Sequence, residues 1–271
     1  MLKDNKLALH NSYMFFKRNI LILLTSVAVI TTFSYISPIL SYFLLMVLIG
    51  SVIFFLRDNE LLDDIRTKKN LTLDILRSYL KYGLIFALLY FLLEIIISIL
   101  VFFVGVILTF LFLSTSYGGQ FNSFSFGLVF MFSIVIATVI VMLFLSPFYL
   151  LLPIYINLIL SSTYPLEILK INIKLFSKDF WKEVLSMLKS KYFIITSLIW
   201  STFSILIFFV ALGISFIVKE LFLFIFTYIP IFPFINFIFT DMLSLFMLFV
   251  AILYLFVYLV YISHYIKLNT H

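Results

Sequence analysis

Apolar positions run along this chain in long uncharged blocks, separated by short segments dense in charge. A bilayer core about 30 Å thick takes about 20 helical residues per crossing, and the blocks are cut to that scale. Residues 20–56 carry no charge, enough for two short spans or one very long helix. Ser37-Pro38 sits at the middle, and proline removes a backbone donor and disfavours helix just before it. The break predicts span 1 over 20–37 and span 2 over 39–56. The stretch RDNELLDDIRTKKN (57–70) is aqueous. From Tyr82 to Leu166 Glu94 is the one charged residue, and STSYGGQFNS (114–123) divides that stretch. Span 3 is predicted over 82–112 and span 4 over 124–158. Both exceed the bilayer and must tilt, bend or project, and Pro147 and Pro153 should kink or break span 4. Span 5 follows over 192–218. Residues 221–240 are apolar but interrupted by Pro230 and Pro233, and are expected to be re-entrant or to lie at the outer interface. Span 6 is predicted over 241–263.

Composition agrees. Hydrophobic residues make up 65% and charged residues 11%, against about 45–50% and 25% in ordinary globular domains. Mean hydropathy is +1.25. A compact soluble fold could not hide that much apolar surface, so the expected class is all-α, a polytopic transmembrane bundle of about six spans with cytoplasmic amphipathic helices. Without cysteine there is no disulfide, thiol nucleophile, Cys-ligated zinc or iron–sulfur cluster. His10, His264 and His271 lie near the ends and form no sequence-local metal site, and no cofactor is indicated. No cleavage pattern of small residues follows the first apolar run, which reads as an uncleaved anchor.

Charge sets the orientation. Net charge is +6 and pI is near 9.3. A basic balance can mean nucleic acid, but loop cations retained in the cytosol account for it here, and no nucleic-acid partner is expected. With the N-terminus inside, four basic residues precede span 1, six lie between spans 2 and 3, six between spans 4 and 5, and Lys267 is in the tail. Of 18 basic residues, Lys219 alone faces outward. The split supports six spans with both termini cytoplasmic.

Three amphipathic cytoplasmic segments are expected, over 3–19, 57–81 and 161–191. In the last, Leu169, Ile173, Phe176, Phe180, Val184 and Met187 form one apolar stripe at steps of three and four. Lys170, Lys174, Lys178 and Lys182 share another face, and Pro165 suits a first helical turn. Such a helix lies along the inner leaflet, lysines against anionic head groups, or packs under the bundle as a connector. A separate ATPase is the sharper partner. The segments LHNSYMFFKRN (9–19), ILRSYLKYG (75–83) and LKINIKLFSKDFW (169–181) share a layout, each leading into a pair of spans, which points to three repeated units.

The opening NSYMFFKRNILILL resembles the start of the YciC-type family of bacterial inner-membrane proteins. SPFYLLLPIYINLIL, followed by PLEILKINIKLFSKDFWKEV, is similar to that family's fourth span and the amphipathic segment after it. AILYLFVYLVYISHYIK resembles its last span and basic tail. The membrane region of some glycerophosphodiester phosphodiesterases has a similar cadence. The resemblance implies a multi-span inner-membrane protein of unknown activity and carries no catalytic residue over.

Glu94 is the ionisable group nearest mid-membrane, where a carboxylate is costly unless protonated, paired or wetted. Gly83, Ala87, Tyr90, Glu94, Ser98 and Gly105 fall on one small-and-polar stripe. It is either a packing seam or a proton or substrate relay. Asn157, Asn236 and Asp241 are expected to cap, anchor or bond across helices, Asp241 complementing a helix dipole. No GxxxxGK[ST], GxSxG, HExxH or CxxC occurs, and no catalytic residue is assigned. Three functions fit: a non-enzymatic protein that maintains the membrane, the permease subunit of an ABC exporter, and an immunity protein against a membrane-active peptide.

Overall fold

The computed structural model describes residues 2–61, 70–115, 127, 129–138, 140–141, 152–162, 164, 166–168, 170, 177–228 and 233–270. Every regular element among them is helical. In chain order these are α1 (Leu2–Thr32), α2 (Pro38–Leu56), α3 (Leu73–Ser78), α4 (Leu80–Thr115), α5 (Val129–Thr138), α6 (Leu152–Leu160), α7 (Lys178–Leu188), α8 (Lys191–Tyr228) and α9 (Pro233–Thr270). Five of them (α1, α2, α4, α8 and α9) contain stretches long and apolar enough to cross a membrane.

Local chemistry sets the joints. In α1, Asn19 leaves helical geometry (φ −112°, ψ 17°). Its side-chain amide donates to Phe15 O at 2.9 Å, and its Oδ1 accepts from Leu71 N at 2.7 Å. One asparagine thus bends the helix where the charged half meets the apolar half, and holds the segment after span 2. Ser37 is extended and caps α2, its hydroxyl accepting from Leu40 N at 3.2 Å with Pro38 at the first helical position. The predicted Ser-Pro break therefore lies where expected. Thr72 caps α3 in the same way.

Two expectations need correction. Residues 221–240 form no element of their own: 221–228 complete α8 and 233–240 begin α9. Pro233 opens a helix, a position proline tolerates, and nothing in 219–228 breaks one. The segment 161–191 is not one continuous helix. Ser177 is extended, and its hydroxyl accepts from Phe180 N at 3.2 Å, so a new helix starts at Lys178.

The chain divides into two compact units. Unit 1 comprises residues 1–88 and 151–271, and unit 2 comprises 89–150. In unit 1 the last helix, α9, is the hub: it packs against α8, α1, α6 and α2. Its buried face includes Leu253, Val257, Tyr258, Tyr261, Ile262 and Ile266. In unit 2, α4 continues and Gly105 packs against Ile134 of α5. Of span 4 as predicted, residues 127, 129–138, 140–141 and 152–158 are described, α5 and α6 being the helices among them, and Pro147 lies outside the described residues.

Candidate functional site

Polar chemistry in unit 1 gathers at one end of the bundle. α2 runs into a π-turn over Arg57–Leu61, a distortion that recurs at functional positions. The turn presents Arg57, which is buried. Arg57 Nε donates to Asp58 Oδ1 at 2.5 Å and Nη1 donates to Ser162 O. Its guanidinium stacks over Phe54 (4.8 Å) and Tyr82 (5.5 Å). A guanidinium out of water needs these contacts, since leaving it uncompensated would cost several kcal/mol (~3–5). Tyr79 donates to Asp58 Oδ2 at 3.0 Å, and Asn59 donates to the Tyr79 hydroxyl at 3.3 Å. Burial, reinforced by the Asp58 charge, pushes the Tyr79 hydroxyl above its ordinary pKa, so it stays a proton donor.

Beside this cluster is a cavity of about 360 Å³. Arg57, Asn157, His264 and Lys267 supply its polar wall; Leu61, Leu160 and Leu268 supply the rest. Asn157 is fixed by donating to Ser263 O at 2.7 Å, which fulfils its expected role of bonding across helices.

A second polar region joins the two ends of the chain. The buried face of α1 reads Asn5, Ala8, Ser12, Phe15, Asn19, Leu23 and Val27, at steps of three and four. Against it α9 sets tyrosines. Tyr258 donates to Asn5 Oδ1 at 2.9 Å, Asn11 donates to the Tyr265 hydroxyl at 2.9 Å, and Tyr254 donates to Leu9 O at 3.4 Å. Tyr192, at the start of α8, donates to Asp4 at 3.0 Å and accepts from Asn269 at 3.0 Å. At the far end of α8 and α9, Lys219 pairs with Asp241 at 2.6 Å, and the Ser215 and Ser244 hydroxyls meet at 2.5 Å.

The predicted seam is divided between partners. Gly83 and Ala87 are buried in unit 1. A Cβ on Gly83 would sit 2.2 Å from Val47 O and 2.3 Å from Ser51 Oγ, so α4 and α2 touch through backbone there. Tyr90 and Glu94 are half-buried, Ser98 is exposed, and Gly105 is buried against α5. Lys170, Lys178 and Lys182 are exposed; Lys174 lies outside the described residues, as does Pro165, and Asn236 has no described side chain. Val184 is buried, with Phe180 and Met187 half-buried, in the order the stripe predicts. Sequence reasoning passed over the tyrosines 254, 258, 261 and 265, although steps of four, three and four place them on one helical face. It counted Arg57 only as a loop cation. Among the described residues no three His, Asp or Glu side chains group as metal ligands. No protein-family model, curated protein or solved structure matches this chain.

Proposed function

We propose that this chain is a six-span protein of the bacterial cytoplasmic membrane, both termini in the cytosol, that maintains or organises that membrane without catalysis. One observation carries the topology. Arg57 meets Ser162, Tyr192 meets Asp4 and Asn269, and the Arg57 cavity includes His264 and Lys267. Lys219 and Asp241 meet about 40 Å away, given a rise of 1.5 Å per residue along α8 and α9. Residues 57 and 162 thus share one end of unit 1. If α4 leaves that end and crosses the bilayer once, the chain must cross again before Ser162, and 124–158 is the stretch that can do so.

Charge supports the same map. The end holding Arg57, His264 and Lys267 is the one that positive-inside bias places in the cytosol. At the other end Lys219 is neutralised by Asp241. The activity reading rests on the resemblance of the opening, 146–184 and 251–267 to the YciC-type family, and on polar side chains spent in joining helices. Reporter tags at residue 118 and at the carboxyl terminus should report opposite sides. The same side for both overturns the topology. A strain lacking the chain should leak a small impermeant dye, and unchanged permeability overturns the maintenance reading. Co-purification of a stoichiometric ATPase would instead make the chain an exporter subunit, and gained resistance to a membrane-active peptide on transfer would make it an immunity protein.

A further inference from the structure

We propose that the cavity between the ends of α2, α6 and α9 is a headgroup site for one anionic phospholipid of the cytoplasmic leaflet, an inference that rests on the membrane reading above. At about 360 Å³ the cavity falls in the range of small-ligand pockets, roughly 300–1,000 Å³. Its wall carries two cationic side chains, Arg57 and Lys267, with His264 beside them. Asp58, the neighbouring carboxylate, is engaged by both Arg57 and Tyr79. Among the described residues Arg57 donates to Asp58 and Ser162 and is clamped over Phe54 and Tyr82. A guanidinium already fixed loses little freedom when it takes a phosphate oxygen. Asn157 is anchored through its amide nitrogen, and its oxygen suits a headgroup hydroxyl.

The apolar share of the wall selects between phosphate sources. A free phosphate ester gains nothing from Leu61, Leu160 and Leu268, whereas a lipid lays its glycerol and first methylenes against them. Basic pockets between membrane helices on the cytoplasmic side are where such headgroups bind. The cavity is distinct from Lys170, Lys178 and Lys182, which are exposed and do not line it.

The test uses the full chain in phosphatidylcholine nanodiscs, titrated with dioctanoyl phosphatidylglycerol, with bound lipid counted by native mass spectrometry. One tightly held anionic lipid is expected. Because Arg57 also holds Ser162, the exposed Lys267 is the residue to change. Lys267→Gln should weaken binding about fivefold, the effect of one cation at a lipid surface, and Lys170→Gln should leave it unchanged. Equal weakening by both variants would reduce the effect to surface electrostatics and overturn the site, while the spanning topology stood. Displacement by glycerol 3-phosphate as effective as by the lipid would assign the cavity to a soluble phosphate and overturn the lipid. A chain that did not enter the nanodisc at all would refute the membrane reading itself.

Discussion

Unit 1 holds its helices together in two different ways. Between α2 and α4 the joint is made of small residues: Gly50, Ser51, Gly83 and Ala87 let backbones touch. Between α1 and α9 it is made of hydrogen bonds between tyrosines and asparagines, and from a tyrosine to a backbone carbonyl. In lipid, apolar side chains gain nothing by leaving hydrocarbon for a neighbouring helix, so association needs close packing or polar contacts. The first joint uses neighbours in sequence and depends on the absence of side-chain atoms. The second uses residues more than 240 positions apart and depends on their presence.

Substitutions should separate the two. The largest effect is expected from Gly83→Ala, whose methyl would meet the Val47 carbonyl and the Ser51 hydroxyl. A backbone oxygen cannot rotate away, so the cost is about 1–3 kcal/mol, read as a fall in the midpoint of detergent-induced unfolding; an unchanged midpoint would mean the helices are not in contact. Tyr258→Phe comes next, at about 1 kcal/mol, since membrane hydrogen bonds average about 0.6 kcal/mol with a maximum near 1.7. A double-mutant cycle with Asn5→Ala should return a coupling of that size, and additivity would dissolve the bond. Gly105→Ala should cost less than about 1 kcal/mol. Its methyl meets the mobile tip of Ile134 at 2.5 Å, the next nearest atom lying 3.4 Å away. Gly213→Ala meets nothing within 4 Å. It should raise the midpoint slightly, by about 0.5 kcal/mol of helix propensity, and a loss there would reveal an unseen neighbour.

The α4 side of the first joint was readable in the sequence; its α2 side, Gly50 and Ser51, and the second joint were not. Small residues at helical spacing announce a close approach wherever it occurs, so Gly83, Ala87 and Gly105 could be singled out without knowing their partners. A tyrosine at positions 254, 258, 261 and 265 says only that one face of α9 is amphipathic in a wet-ended way. Finding Asn5 and Asn11 opposite requires the tertiary fold. Five long apolar helices followed from length and hydropathy, and the Ser37-Pro38 turn from local backbone chemistry. The end of α8 was misjudged because Pro230 and Pro233 were weighed as interruptions of 221–240, when Pro233 opens a helix. The break at Ser177 was missed because lysine periodicity runs through it, and a serine that caps is indistinguishable in sequence from a serine that does not.

The bond between Asn5 and Tyr258 also sets a schedule. Ribosomes add about 5–20 residues per second, so Asn5 waits many seconds for a counterpart 253 residues downstream. Throughout that interval the side chains of Asn5 and Asn11, whose partners are on α9, must be satisfied by water or headgroups at the surface. Assembly of unit 1 is therefore completed only once α9 has emerged, and a chain cut short before α9 leaves α1 undocked.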